Sequence, residues 1–108
     1  MKSIEIIMIP VKDQQESKAF YMKLGFQVIA EAPMGNGESW VQLGLPGHPT
    51  TISLAKFPGI IFETDNIEQA LTDLQSKGIE AGKIDDTPWG KFCWLKDLDG
   101  NGLCLHQQ

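Results

Sequence analysis

The sequence predicts an α+β chain made of two βαβββ modules, and three observations carry that prediction. Two helical patterns of the same design recur at an offset of about fifty residues. Short runs of alternating polarity follow each of them. The chain ends in a hairpin, where Trp89–Leu95 and Leu103–His106 flank the turn Lys96-Asp97-Leu98-Asp99-Gly100-Asn101-Gly102. That turn is chemically apt. Gly and Asn tolerate positive φ, and an Asp side chain can accept from nearby backbone N–H groups.

The first apolar run, Ile4 to Val11, is interrupted only by Glu5 and Pro10 and reads as a strand. Asp13 with Glu16 forms a capping box that opens a helix. Ser17, Phe20, Tyr21 and Leu24 supply its expected buried stripe, and Gly25 ends it. Strands are expected over Phe26–Ala32, Ser39–Leu45 and Thr51–Phe57. Phe26, Val28, Ala30 and Ala32 are expected on one side, and Pro33-Met34-Gly35-Asn36-Gly37 forms a loop.

The pattern then restarts. Ile60–Thr64 is a strand, and Asp65 with Glu68 is a second capping box. Ile67, Ala70, Leu71 and Leu74 form a second stripe, and Gly78 ends the second helix. Ile79–Ile84 reads as a strand, Asp85-Asp86-Thr87-Pro88 as a loop, and the hairpin follows. One domain of 1–108 is expected, with modules 1–57 and 60–108. Each helix can cover one face of its strands. The other faces either enclose a pocket or fill a core, and the repeat leaves both open.

Bulk properties exclude several function classes. The chain has 108 residues, 42% hydrophobic and 21% charged, which suits one soluble domain with a real core. No apolar stretch is long enough to cross a bilayer. The start, Met1-Lys2-Ser3-Ile4-Glu5, carries an acid where a signal peptide is apolar, so a cytoplasmic location is expected. Two cysteines fit reduced thiols. A net charge of −5 argues against nucleic acid and mildly favours a neutral or cationic ligand.

Val11-Lys12-Asp13, Ser17, Phe20-Tyr21, Leu24-Gly25-Phe26 and Asp97-Leu98-Asp99-Gly100-Asn101-Gly102 together resemble the vicinal oxygen chelate superfamily. That group includes glyoxalase I, bleomycin-resistance proteins, fosfomycin-resistance enzymes and extradiol dioxygenases. Leu98 departs from the Pro more usual in that turn. The resemblance implies paired βαβββ modules forming an incomplete barrel around a cavity, and chains that often pair as homodimers.

It also implies four metal-ligand positions, which fall here on Ile6, Ser53, near Gly59, and on Cys104. Only Cys104 carries an ordinary donor for a divalent ion, so no metal and no cofactor are expected. One alternative trio is chemically possible: Cys104, His106 and Glu63. The bland reading has His106 frayed at the chain end and Glu63 solvated. Glu5 sits one residue from Ile6 and so on the opposite face.

Alternation and the resemblance together select a ligand-binding set. From the first module it takes Trp40, Gln42 and Ser53, with Ile6 and Met8 facing inward. From the second it takes Glu63, Phe92, Trp94 and Cys104, with Trp89 as a lid residue or an edge plug. Indole faces stack on flat rings and attract cations. The same aromatics also suit a core or a dimer interface. No catalytic residue is expected. Cys93, Cys104 and Ser53 lack an evident base, no phosphate-binding glycine loop is present, and Asp97 and Asp99 read as turn formers. The expected protein is a metal-free binder of a hydrophobic or aromatic small molecule, resembling the bleomycin-resistance branch. The competing expectation is a divergent metal-dependent lyase, isomerase or dioxygenase, and a third is a filled-core, partner-binding subunit.

Overall fold

A computed structural model describes residues 1–35 and 37–108. Its elements are β1 (Ser3–Pro10), α1 (Gln14–Lys23), β2 (Gln27–Gly35), β3 (Glu38–Gly44), β4 (Thr51–Ala55), β5 (Gly59–Glu63), α2 (Ile67–Ser76), β6 (Ile84–Thr87), β7 (Gly90–Lys96) and β8 (Gly102–Gln107). This is βαβββ twice, of the α+β class. Two compact units divide the chain. One is Ile6–Pro58; the other joins Met1–Glu5 to Gly59–Gln108. The first five residues therefore belong with the second module.

In the unit Ile6–Pro58 the strand order is β2-β3-β4-β1. β4 runs parallel to β1, with Met8 opposite Ser53, and antiparallel to β3, with Gln42 opposite Ser53. Val41, Leu43, Ile52 and Leu54 form the core, packed by Ile9, Val11, Tyr21 and Phe26. Asp13 caps α1 by accepting from the Glu16 N–H at 2.9 Å.

The stripe on α1 differs from expectation. Phe20 and Leu24 are 59% and 58% exposed, and the helix buries no residue fully. Its inner line is set instead by Gln14 and Tyr21, seven residues apart and so on one face. Gln14 Nε2 donates to Leu54 O at 2.7 Å and Ser39 O at 2.8 Å, and Tyr21 meets Phe26 edge-on at 5.4 Å. Phe20 lies about 100° round the helix from Tyr21 and is carried outward.

Strand β2 also corrects the sequence reading. Val28 stands opposite Leu43 but Ala30 opposite Gln42, so Ile29 is an extra residue. That bulge reverses the alternation, and Phe26 and Val28 do not share a face with Ala30 and Ala32. The strand continues through Pro33-Met34-Gly35, expected as loop, with Pro33 opposite Ser39. It ends the strand order, where a missing N–H is tolerated. Asn36 of that expected loop lies outside the described residues.

In the other unit the order is β5-β8-β7-β6, and Lys2 N donates to Glu63 O at 2.7 Å. Ile67, Leu71 and Leu74 of α2 pack on Cys93 and Leu105, joined by Ala70. The cap is Asn66, which accepts from Gln69 N at 3.0 Å, and not the expected Asp65–Glu68 box. Asp65 instead meets Lys2 Nζ at 3.3 Å on the surface.

The strand expected over Ile79–Ile84 is displaced. Pairing starts at Ile84 opposite Cys93 and runs to Thr87 opposite Gly90, where a loop was expected. Gly78 at φ 80° turns the chain away after α2, and before Ile84 the only backbone bond to β7 among the described residues is Gly82 N to Trp94 O at 2.9 Å. Asp85 and Asp86 then lie on the last strand in the order, where charge discourages edge pairing. The closing turn forms as expected. Asp97 accepts from Asn101 N and Nδ2, both at 2.8 Å, and from Asp99 N at 2.9 Å. The Asn101 side chain, and then backbone N–H groups, hold its carboxyl below the usual range.

Asn66→Ala removes the α2 cap and is expected to cost about 1 kcal/mol in urea unfolding. Asp65→Ala, which loses only an exposed ion pair, is expected to cost well under that.

Candidate functional site

In each unit the helix covers one face, so the alternate residues of the strands form a second, helix-free face. In Ile6–Pro58 that face carries Ile6 and Met8 from β1, Trp40 and Gln42 from β3, and Thr51 and Ser53 from β4. Trp40 Nε1 donates to Gln42 Oε1 at 3.0 Å, and Gln42 Nε2 donates to Thr51 Oγ1 at 2.9 Å. Ser53 is 1% exposed, and its Oγ has no hydrogen-bond partner among the described residues. A buried hydroxyl without a partner is costly, so this position is short of one polar contact.

In the other unit, Trp94 stands opposite Cys104 and Phe92 opposite His106, while Ile61 and Glu63 flank the same two residues from β5. Phe92 and Glu63 are half-buried, and Trp94 is partly exposed. Glu63 Oε1 accepts from Ser3 Oγ at 3.1 Å. The Cys104 thiol is fully buried, and burial pushes its pKa up to about 12. Cys93, on the opposite face, donates to Gly82 O at 3.3 Å.

The second unit also holds a cluster that sequence reasoning undervalued. His106 is 6% exposed and is not frayed. Its Nδ1 lies 2.8 Å from Glu5 Oε1, its Nε2 lies 2.9 Å from Trp89 O, and its ring stacks on Phe92 at 4.3 Å and 11°. The signal for Glu5 was its opposition to Ile6. Ser3 and Glu5 are two apart and so share a face, from which Glu5 meets His106 and Ser3 meets Glu63. Trp89 itself stands on the turn between β6 and β7 with 65% of its surface exposed. Thr87 Oγ1 accepts from Trp89 N at 3.1 Å and donates to Gly90 O at 2.7 Å. Gly90 has φ 116°, and a Cβ there would strike Gln107 O and stand 2.8 Å from His106 Nε2. Only glycine fits this approach.

A divalent ion does not fit these residues. Ile6 and Gly59 offer no donor, Ser53 a neutral hydroxyl, and Cys104 the single ordinary donor, which alone does not make a site. Both nitrogens of His106 are engaged. Among the described residues no group of three His, Cys, Asp or Glu is placed to hold a metal, so Cys104, His106 and Glu63 do not form the alternative trio. An open depression of about 380 Å³ at the end of α2 is lined by Gln75, Gly78, Ile79, Glu80 and Ala81, and holds none of the expected ligand-binding residues.

The chain belongs to the Glyoxalase/Bleomycin resistance protein/Dioxygenase superfamily, whose family model matches residues 3–105. It is similar to YetH of Bacillus subtilis (strain 168), with 31% identity over 99% of both chains. TnmS3, an antibiotic binding protein from Streptomyces sp. CB03234, shares 30% identity over 99% of this chain and 96% of its own, at a TM-score of 0.48. Methylmalonyl-CoA epimerase from Mycobacterium tuberculosis has a TM-score of 0.83 at 15% identity, over 97% of this chain and 87% of that one, and is a likeness of fold.

The buried thiol predicts an alkaline weakness. The folded-state pKa of Cys104 is raised from 9.0 to about 12, so its contribution is complete below 9.0 and is lost as pH climbs toward 12. Urea unfolding over that window is expected to fall more steeply with pH in the native chain than in Cys104→Ala.

Proposed function

We propose that this protein binds a hydrophobic or aromatic small molecule and performs no chemistry on it. What carries the reading is the chemistry of the helix-free strands: aliphatic, hydroxyl and hydrogen groups and a lone thiol stand at the family's ligand positions, and aromatic rings stand beside them. Trp94 and Phe92 offer ring faces, and Trp89 a largely exposed indole. Gln42 and Ser53 on the face of the first unit, and Glu63 and Cys104 on that of the other, add few polar groups to each, as small-molecule sites generally do.

The Ser53 hydroxyl, lacking a partner, supports a role in meeting a polar atom of the ligand. Trp40 and Gln42 are already bonded to one another and to Thr51, so they would present a fixed wall. Action as a cytoplasmic homodimer is part of the proposal. The exposed side chains Phe20, Leu24, Val28 and Ile29 of the first unit suit an association surface.

The test uses 2-naphthol as a neutral aromatic probe, read by saturation-transfer NMR on the full chain. Binding is expected, weakened roughly ten-fold by Trp94→Ala. Ser53→Ala is expected to weaken a probe carrying a hydroxyl while leaving stability within about 1 kcal/mol, since no hydrogen bond is lost. Absence of saturation transfer, or binding indifferent to Trp94→Ala and Trp40→Ala, would contradict the proposal.

A further inference from the structure

Two unfavourable features meet at one turn. His106 and Glu5 form a largely buried pair at 2.8 Å, and desolvation offsets much of the attraction in such a pair. Gly90, at φ 116°, lets the turn pass close to Gln107 and His106 without strain. Trp89 leaves 65% of a large apolar surface in water. Stability explains neither, whereas a buried ion pair and an exposed indole gathered at one place suit a group that must be held ready.

Their common product is the pose of Trp89. Thr87 Oγ1 bonds both Trp89 N and Gly90 O from within the turn, and His106 Nε2 bonds Trp89 O from β8. A carbonyl oxygen only accepts, so Nε2 must carry a hydrogen. Nδ1 then faces a carboxylate oxygen at 2.8 Å, and that contact is attractive only with a proton between them. Without it, two lone pairs would oppose each other and the ring would leave Trp89.

We propose that His106 is a positioning residue, which with Glu5 as its counter-ion holds the backbone of Trp89 and so sets the pose in which the indole is offered to a ligand. The purpose rests on the reading of Trp89 as a ligand contact; the latch itself does not. The other charged or titratable groups around it are accounted for. On β5, Glu63 stands opposite His106 and is bonded to Ser3. On β8, Cys104 keeps its proton. On β7, Lys91 is drawn to Glu68, and on β6, Asp85 stands opposite Phe92 rather than His106. Lys2, before β1, is bonded to Asp65.

The test follows Trp89 as the sole indole, in the full chain carrying Trp40→Phe and Trp94→Phe. Acrylamide quenching and emission are read from roughly pH 5 to 9, with the His106 ring nitrogens followed by NMR. Trp89 is expected to become more quenchable, with shifted emission, in step with loss of the His106 proton. Glu5→Gln is expected to abolish that dependence and keep the acid-side signal throughout, because a Gln amide N–H can donate to a neutral Nδ1. His106→Phe is expected to show the alkaline-side signal at every pH. A Trp89 signal that ignores His106, or a Glu5→Gln chain that repeats the parent's pH profile, overturns the proposal. Should His106→Phe not fold, Glu5→Gln decides alone. No ligand is present, so failure of the latch and failure of 2-naphthol binding are told apart.

Discussion

A single helix dries one face of the strands it packs on and leaves the other, and that asymmetry decides where chemistry can sit in this chain. In both units the strand residues facing the helix are aliphatic or small: Val41, Leu43, Ile52 and Leu54 in one, Cys93 and Leu105 in the other. Because the strand period is two, every residue between them is committed to the second face. Register is therefore the controlling constraint. A slip of one residue would exchange Ser53 for Leu54 and Cys104 for Leu105, placing polar groups under the helix.

The second faces are unlike each other in a way the repeat does not suggest. The first carries a neutral ladder, Trp40 to Gln42 to Thr51, beside a hydroxyl left without a partner. The second carries ionisable groups: Glu5 and the buried His106 against each other, with Glu63 tied to Ser3. An indole is displayed from a turn that Thr87 bonds at two points and Gly90 allows to close. Similar backbones thus present different chemistry, which is why membership of the superfamily does not by itself fix what a member does.

Much of this was legible in the residues. The order of elements, the α2 stripe, the Asp97 turn and the facing of Phe92 and Trp94 all follow from local patterns strong enough to survive packing. What was not legible depended on partners distant in sequence. The bulge at Ile29 reverses β2, yet no residue there announces it. Phe20 loses the inner face of α1 because Gln14 finds two backbone carbonyls on β3 and β4. Asp85 and Asp86 have the local propensity of a loop, and only pairing with β7 makes them strand. His106 looked frayed only while Glu5, at the other end of the chain, was unavailable as its partner.

The account stands on the claim that these strand faces recognise organic surface and do not chelate. The most direct measurement is an X-ray fluorescence scan of protein purified without chelator and exposed to zinc, nickel, iron and manganese before gel filtration. The account predicts no ion retained in stoichiometric amount. One equivalent per chain, lost in Cys104→Ala, would contradict it.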